Sequence, residues 1–423
     1  MNFLNEIVHQ YPDAISFAPG RPREDDFDPA LIGSYLDAYI EYLSDTQGWS
    51  PRHIAANLFQ YGRTNGHIHQ LIARTVANDE GIGVVPEAVV VTVGAQEGML
   101  LVLRTLFREA NDVLLVTDPC YVGITGAARL LDIEVVPITE GPDGISAAIV
   151  AEAVAALRIR GKRPRALYLV PDFSNPSGAT IPAGRRRELL AVASQTDLLL
   201  LEDNPYGFFR SFGTWCPTLK SIDTERRVIY LGSFSKTCFP GARVGYVLAD
   251  QSVLDRDGRR TLLADELSKV KSMTTVNTPA LSQAVIGGML IAHGCRLRPV
   301  NSTSIAHYRA NLEALTTELE TQFPRAERKR LGISWNCPDG GFFLVLTVPF
   351  TADDAALEYA ARNHGVLWTP MRYFHAGDAG NNQLRLSYST LSPDRIKTGV
   401  ARLSNFIESQ IAAGPSENPA VSE

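Results

Sequence analysis

The first half of the chain alternates between short, continuous apolar runs and longer segments in which apolar and polar residues mix with helical spacing. The apolar runs are rich in valine, isoleucine and leucine, so they predict buried strands, and the mixed segments predict helices. We expect strands at 88–93, 112–117, 134–138, 165–170, 197–202, 228–231 and 243–248. Strands that alternate with helices predict an α/β fold with an open, mostly parallel central sheet flanked by helices.

Helical patterns separate these strands and continue after the last of them. We expect helices at 29–45, 67–78, 99–107, 149–158, 185–194, 262–290 (interrupted at 277–279), 304–321 and 355–363. Two more apolar strands, 340–346 and 384–388, follow the long helix, which we expect to cross into a second domain. The last residues, 412–423, are small, polar and proline-containing, so they predict a disordered tail.

Composition excludes several classes of protein. The chain has 423 residues, 45% of them hydrophobic and 20% charged, an ordinary globular balance. A net charge of -6 and a pI near 5.8 argue against a nucleic-acid partner. We see no apolar run of membrane-spanning length and no basic or apolar region of a signal peptide at the N-terminus. Five scattered cysteines favour reduced thiols and a cytoplasmic location: Cys120, Cys216, Cys238, Cys295 and Cys337.

Polar residues follow several predicted strands. One strand ends in Asp118-Pro119-Cys120-Tyr121, the next in Asn175-Pro176-Ser177-Gly178, and another in Asp203-Asn204-Pro205-Tyr206. Open parallel sheets bind ligands at the carboxyl ends of their strands, so these residues mark a candidate site. Gly94-Ala95-Gln96 joins a strand to a helix, and the N–H groups of such a helix start can bind a phosphate.

A lysine in an unusual setting follows the strand at 228–231. Lys236 lies among Ser233, Ser235 and Thr237, with Arg243 seven residues further on. The serines and the arginine can hold a phosphate dianion while the lysine presents its amine to a carbonyl. Pyridoxal 5'-phosphate (PLP) requires this combination. The alternative is a surface turn with a solvated lysine.

Two further charged residues lie in apolar surroundings. Asp203 ends a leucine-rich strand, and a buried carboxylate needs a partner, which the N–H of a pyridinium ring would supply. A turn or helix cap is the alternative. Arg385 lies in an alternating apolar strand and is either an edge residue that extends into solvent or a bidentate clamp for a substrate carboxylate.

In this order along the chain, the motifs resemble those of the fold-type I PLP enzymes, specifically the class I and II aminotransferases. The resemblance covers nearly the whole chain. It rests on Tyr61-Gly62, Gly94-Ala95-Gln96, Asp118-Pro119-Cys120-Tyr121, Asn175-Pro176-Ser177-Gly178, Glu202-Asp203-Asn204-Pro205-Tyr206, Ser233-Phe234-Ser235-Lys236 with Arg243, and Leu384-Arg385-Leu386-Ser387.

The resemblance implies how these residues surround the cofactor ring. Lys236 would bond the cofactor and later move the proton between the substrate α-carbon and the cofactor. Asp203 would pair with the pyridine nitrogen. Tyr206 and Asn175 would hydrogen-bond the phenolic oxygen of the ring, and Tyr121 would stack on the ring.

The resemblance also implies a phosphate cup, which consists of Ala95, Gln96, Ser233, Ser235 and Arg243. Many relatives carry serine at the position of Ala95. Because the backbone N–H is retained, we expect phosphate binding to be modestly weaker here.

Substrate binding and assembly follow from the same resemblance. Arg385 would bind the α-carboxylate of the substrate, aided by Asn175, and Arg21 would line the substrate entrance. Tyr61 would reach the phosphate of the neighbouring subunit, which implies a homodimer with shared active sites. The substrates would be an amino acid donor and a 2-oxo acid acceptor, without a metal.

The expected fold is the fold-type I arrangement, a large PLP-binding domain with a smaller α+β domain built from both termini. The expected bounds are 1–55 for an N-terminal arm and part of the small domain, 56–290 for the large domain, 291–412 for the small C-terminal domain and 413–423 for the tail.

Within the family, the sequence is similar to the branch of kynurenine and 2-aminoadipate aminotransferases and of PLP-dependent regulators. The regulators carry a winged helix before this region, for which we see no room. Residues 59–66 and 171–178 resemble phenylglycine-type aminotransferases of peptide-antibiotic pathways. That likeness implies an arylglyoxylate acceptor and a hydroxyphenylglycine or dihydroxyphenylglycine product.

Other activities stay open at this point. A PLP-dependent oxidase, cyclase or lyase would carry the same cofactor motifs, whereas a non-catalytic ligand sensor has little need of Lys236, Asp203 and Arg385 together. His67 and His69 would either contact a phenolic substrate across the dimer or simply face solvent or satisfy a helix start. Residues 371–374 are expected to contribute to the shape of the substrate site.

Overall fold

The computed structural model of the protein describes residues 7, 9–25, 27–141, 144–254 and 257–414. Its strands are β1 (Ile15–Ser16), β2 (Val89–Thr92), β3 (Asp112–Asp118), β4 (Glu134–Thr139), β5 (Arg163–Leu169), β6 (Leu199–Asp203), β7 (Val228–Ser233), β8 (Gly245–Leu248), β9 (Ser252–Leu254), β10 (Arg260–Leu262), β11 (Ser334–Trp335), β12 (Phe343–Thr347), β13 (Val366–Leu367), β14 (Thr369–Pro370) and β15 (Gln383–Ser387).

The α-helices connect these strands and cover the sheets. They are α1 (Ala30–Glu41), α2 (Pro51–Phe59), α3 (His69–Glu80), α4 (Gly94–Leu106), α5 (Val122–Leu130), α6 (Ala147–Ile159), α7 (Ala183–Gln195), α8 (Leu219–Ile222), α9 (Leu263–Ser272), α10 (Ala280–Ala292), α11 (Ser302–Gln322), α12 (Arg325–Leu331), α13 (Asp354–Tyr359) and α14 (Pro393–Ala413). Short 3₁₀ turns lie at Pro240–Ala242 and Met371–Phe374.

A seven-stranded sheet forms the centre of the molecule, with strand order β2-β8-β7-β6-β5-β3-β4. Its strands run parallel except β8, which is antiparallel to both β2 and β7. The inner strands are buried along almost their whole length because helices cover both faces, and this burial explains their continuous apolar sequence. The predicted mostly parallel α/β sheet is confirmed.

A four-stranded antiparallel sheet has the strand order β11-β12-β15-β14, and its strand β15 contains Arg385. The N-terminal segment reaches the same region, because β1 pairs in parallel with β13 and the amide of Ser387 donates to the carbonyl of Phe17. Both ends of the chain therefore contribute to this part of the molecule. The domain bounds stay a prediction.

Several details of the sequence interpretation are wrong. The strand expected at 340–346 begins only at Phe343 and ends at Thr347. The long helix α14 was not expected, although Ile396, Val400, Leu403 and Ile407 have helical spacing and are buried. Helix α14 extends to Ala413, so the tail cannot begin at residue 412. The strand at 243–248 begins only at Gly245.

Some expectations fall outside the described residues. They concern most of the C-terminal tail (415–423), the middle of the turn at 141–144, and the start of the N-terminus (1–6). Across the part of the chain that the structure describes, no helix has the length and apolar character needed to cross a membrane.

Candidate active site

A cavity of about 650 Å³ lies where the carboxyl ends of the central strands face the four-stranded sheet. We call it the substrate cavity. Nearly all of the sequence-predicted site residues line it: Arg21, Ala95, Gln96, Tyr121, Asn175, Asp203, Tyr206, Ser233, Ser235, Lys236, Arg243 and Arg385. Tyr61 is the one predicted site residue that does not.

Lys236 follows β7 and extends its amine into the cavity. Its Nζ donates a hydrogen bond to the carbonyl oxygen of Gly20, 2.8 Å away. Burial lowers the pKa of Lys236 to about 8, and the positive charges of Arg243, Arg21 and Arg385 act in the same direction. About a tenth of this lysine would therefore be neutral at pH 7, far more than of a solvated lysine, and only the neutral amine is nucleophilic.

Asp203 ends β6 and is only 4% exposed. The hydroxyl of Tyr168, on the neighbouring strand β5, donates to its Oδ2 at 2.6 Å. Burial raises the pKa of Asp203 to about 7, partly offset by this hydrogen bond. A positively charged N–H group in the cavity would favour the ionised carboxylate and would supply the partner that a buried charge requires.

Hydrogen-bond donors converge on the first turn of α4, which begins at Gly94 with a φ of 72°. Arg243 follows a 3₁₀ turn, with a φ of 51°, and its Nη2 lies 2.6 Å from where a Cβ on Gly94 would stand. Its Nη1 lies 3.5 Å from Ser235 Oγ, and the amide of Ser235 donates to Ser233 Oγ at 3.1 Å. Guanidinium, hydroxyls and the start of a helix together suit a phosphate dianion.

Polar and aromatic groups line the middle of the cavity. Asn175 Nδ2 lies 3.5 Å from the hydroxyl of Tyr206, whose pKa burial raises well above its usual value. Tyr121 lies close to Gly123, where a Cβ would stand 2.2 Å from Cε1 of the tyrosine ring. The glycine therefore leaves room for the ring at the cavity edge.

Arg385 lies on β15 and is 7% exposed. Its Nη1 donates to Asn175 Oδ1 at 2.7 Å, and its Nη2 donates to the carbonyl of Ala18 at 2.8 Å. The guanidinium carbon lies 4.4 Å from the ring centre of Phe343 and 4.9 Å from that of Phe374. Burial lowers the pKa of Arg385 to about 10, which still leaves a cation fixed in place for a carboxylate.

The two remaining predicted residues occupy different places. Arg21 lines the cavity with a largely exposed side chain, near Glu24 at 3.8 Å. Tyr61 is 86% exposed and stands outside the cavity of its own chain.

His67 and His69 pack around the start of α3. His67 Nδ1 lies 2.6 Å from Asn57 Nδ2, and His69 Nδ1 lies 3.0 Å from the carbonyl of Gly66. Burial lowers the pKa of both imidazoles. Neither lines the substrate cavity, and His69 is buried rather than facing solvent.

Sequence analysis missed several residues of the site. Gly20 accepts from Lys236 and touches Phe343, because a Cβ on Gly20 would stand 2.3 Å from Cζ of that ring. Tyr168 was also missed, although a tyrosine inside an apolar strand signals that its hydroxyl needs a partner. Phe343 gave no such signal, because its position beside Arg385 depends on tertiary packing. Phe374 belongs to the segment 371–374, which was expected to shape the substrate site, and it does line the cavity.

The residues present fit PLP. The cavity combines an anion site, the buried carboxylate of Asp203, which accepts a hydrogen bond from a tyrosine hydroxyl at 2.6 Å, and a lysine with a lowered pKa. These are the groups that a phosphorylated pyridine aldehyde requires.

Comparison with known proteins gives the same result. The sequence profile of the family described as "Aminotransferase class I and II" matches residues 37–403. The chain is 47% identical to the (S)-3,5-dihydroxyphenylglycine transaminase of Amycolatopsis orientalis over 97% of this chain and 92% of that protein. It is 29% identical to aromatic-amino-acid aminotransferase 1 of Thermococcus litoralis, over 94% of this chain and 89% of that protein.

A solved structure agrees with the fold as well. The kynurenine aminotransferase of Pyrococcus horikoshii, solved in complex with PMP, has a TM-score of 0.81 and 27% sequence identity. The match covers 96% of this chain and 94% of that one.

Proposed function

Because the chain belongs to the class I and II aminotransferases, we propose that it transfers an amino group to an arylglyoxylate and forms a phenylglycine-type amino acid. The reaction class itself follows from the family: the protein is a PLP-dependent transaminase that acts on an amino acid and a 2-oxo acid. The proposal concerns which acid, and how each residue of the cavity acts on it.

We assign the cofactor's contacts as follows. Gly94-Ala95-Gln96, Ser233, Ser235 and Arg243 would hold the phosphate, and Asp203 would hold the ring nitrogen while Tyr168 orients the carboxylate. When bound, PLP supplies an electron sink for charge that develops at the substrate α-carbon.

The protein's own groups would then move the proton and hold the substrate. Lys236 Nζ would take the proton from the α-carbon, since its lowered pKa of about 8 suits a base at neutral pH. Arg385 would fix the α-carboxylate, and Asn175 would keep the guanidinium in place through its 2.7 Å hydrogen bond. A fixed carboxylate holds the α-carbon within reach of the lysine.

One geometric observation supports an aryl group next to the α-carbon. The cation that would hold the carboxylate lies between the rings of Phe343 and Phe374, at 4.4 and 4.9 Å. In a phenylglycine the aromatic ring is bonded directly to the α-carbon, so it lies close to the carboxylate and therefore close to these two rings. Aromatic rings whose centres lie about 4.5–7 Å apart attract each other beyond simple burial, so an aryl group placed there would be stabilised by these two neighbours. The 47% identity to a dihydroxyphenylglycine transaminase supports the same class of substrate, and with it a place in peptide-antibiotic biosynthesis.

We also propose a cytoplasmic homodimer with shared active sites. Several exposed apolar side chains lie at or near the start of α1, at or just after the end of α2, and between the end of α9 and the start of α10: Phe27, Leu31, Ile32, Phe59, Tyr61, Met273, Val276 and Leu281. A second copy of the chain would bury this surface, since monomers rarely expose large apolar patches. Tyr61 would then reach the neighbouring cavity. The five cysteines are free thiols, as expected for a reducing compartment.

Hybrid dimers test the role of Tyr61. We expect Lys236→Ala homodimers to be inactive and Tyr61→Ala homodimers to be weakened, but one site of a hybrid would combine an intact Lys236 with the partner's intact Tyr61. We expect each hybrid dimer to have about half of the parent activity, so random co-expression, in which about half of the dimers are hybrids, restores about a quarter overall. Restoration would fail if Tyr61 acted within its own subunit.

The substrate proposal is tested with the purified holoenzyme. We expect the visible absorbance of the bound cofactor to decrease with a hydroxyphenylglycine, and to recover when an arylglyoxylate is added. Recovery with 2-oxoglutarate or phenylpyruvate but not with an arylglyoxylate would contradict the substrate and leave the reaction class intact.

A further inference from the structure

A second cavity, of about 1050 Å³, lies beside the substrate cavity and shares several lining elements with it, among them the end of β3, β12, β15 and the turn at 371–374. At the end of β3, Asp118 and Pro119 line this second cavity, whereas Tyr121 and Val122 line the substrate cavity. The chain therefore passes from one cavity to the other within a few residues.

The four-stranded sheet shows the same succession. On β12, Phe343 lines the substrate cavity and Val345 the second cavity. On β15, Arg385 lines the substrate cavity and Gln383 the second. Side chains two residues apart on a strand point to the same face. The two cavities thus follow one another along a single face of this sheet.

A small apolar cluster stands between them. Val345, Met371 and Phe374 pack together, with Val122 against them. Phe374 and Val122 line the substrate cavity, while Val345 and Met371 line the second one. Met371 is only 1% exposed, so its side chain fills the space behind Phe374. We call these four residues the partition.

The backbone of the partition is fixed to the end of β3. The amide of Cys120 donates to the carbonyl of Phe374 at 2.8 Å, and the amide of Ala376 donates to Asp118 Oδ1 at 3.2 Å. Phe374 lies 4.9 Å from the guanidinium carbon of Arg385. The partition therefore stands close to the carboxylate anchor and limits how far a bound side chain can extend.

We propose that Met371 determines substrate specificity by closing the substrate cavity behind Phe374. A short side chain, such as an aryl group on the α-carbon, ends before the partition, whereas a longer one runs into it. Removing most of the Met371 side chain would let Phe374 move back and would join the two cavities. This inference rests on the role proposed for Arg385, which fixes where the side chain begins.

The test compares holoenzyme variants on donors of increasing length: phenylglycine, phenylalanine and homophenylalanine. The first half-reaction is followed by cofactor absorbance, which gives kcat/KM for each donor. For Met371→Ala we expect the ratio of homophenylalanine to phenylglycine to rise roughly tenfold or more over the parent enzyme. Met371→Leu conserves volume and is the matched control, for which we expect the ratio to stay within about twofold.

An equal loss of activity on all donors in Met371→Ala would overturn the proposal, since it would show a purely structural role. An unchanged ratio of kcat/KM for homophenylalanine to that for phenylglycine would also overturn it. If Met371→Ala does not fold, Val345→Ala opens the same partition from β12 and must raise the same ratio. If the parent enzyme rejects phenylglycine, the substrate proposal fails, but the ratio of homophenylalanine to phenylalanine still tests the partition.

Discussion

The two walls of the substrate cavity differ in how their residues are arranged along the chain. One wall, which we call the cofactor wall, consists of residues at the ends of central strands: Ala95, Gln96, Asp203, Ser233, Ser235, Lys236 and Arg243. The other, the substrate wall, combines four residues from four separate segments: Gly20, Phe343, Phe374 and Arg385.

The difference reflects what each wall must recognise. In our proposal the cofactor wall binds a phosphate and a ring nitrogen, which need charged and hydrogen-bonding groups in short, local motifs. The substrate wall must fit the shape of a side chain, and shape comes from apolar residues that tertiary packing brings together. We therefore expect changes in the cofactor wall to affect all substrates alike and changes in the substrate wall to affect some more than others.

The largest expected effect is at Lys236. The substitution Lys236→Ala removes the amine that we propose moves the proton, so we expect kcat to fall by at least roughly 10⁴-fold for every amino donor. Single-turnover absorbance measurements check this, with circular dichroism as the control for folding. Turnover within about tenfold of the parent enzyme would show that another group is the base.

The next largest effect is at Arg385 in the substrate wall, and it distinguishes amino donors that have a carboxylate from donors that lack one. Arg385→Lys keeps the charge but loses the planar fork that now bonds Asn175 and Ala18. We expect kcat/KM for phenylglycine to fall roughly 100-fold, because a hydrogen bond to a charged group contributes about 1.5–3 kcal/mol. Benzylamine, which has no carboxylate, is the control substrate and should react at an unchanged rate. Equal losses of activity on both compounds would show that Arg385 does not anchor the carboxylate.

A smaller effect is a pH dependence of cofactor uptake by the apoenzyme. The pKa of Lys236 is lowered to about 8, so its amine is increasingly protonated below that pH and neutral above it. We expect the rate of PLP incorporation to rise about tenfold per pH unit below 8 and to level off above it. Arg21→Ala removes one of the charges that lower this pKa and should move the midpoint upwards. A midpoint near 10 in the unmodified protein would contradict the burial of this lysine.

The smallest effect is at Ala95. The substitution Ala95→Ser adds a hydroxyl at the start of α4, next to the proposed phosphate site. One extra hydrogen bond contributes about 1 kcal/mol, so we expect PLP to bind about fivefold more tightly. Ala95→Gly adds no hydroxyl and should give no gain. Equal affinities for the serine variant and the parent enzyme would place the phosphate elsewhere.

The same comparison explains what the sequence could predict. Lys236, Asp203 and Arg385 were identified because a charged residue beside an apolar strand needs a partner, and the structure gathers all three around one cavity. The central strands were also predictable, because burial on both faces makes their sequences continuously apolar.

Other features depended on contacts that a linear pattern does not contain. Gly20 and Lys236 are 216 positions apart in the chain yet share a hydrogen bond. Phe374 gained its position beside Arg385 only through the packing of the turn at Met371–Phe374 against β3. Helix α14 had a visible pattern and was overlooked, so that error lay in the interpretation rather than in the sequence.

The transfer of the amino group itself tests the central claim most directly. The holoenzyme would be incubated with ¹⁵N-labelled tyrosine and 3,5-dihydroxyphenylglyoxylate, and the products would be analysed by mass spectrometry. Our account predicts dihydroxyphenylglycine that carries the ¹⁵N label, in equal amount to the 2-oxo acid formed from tyrosine. Release of the label as ammonia would contradict it. So would an arylglyoxylate that is not consumed while other 2-oxo acids are aminated.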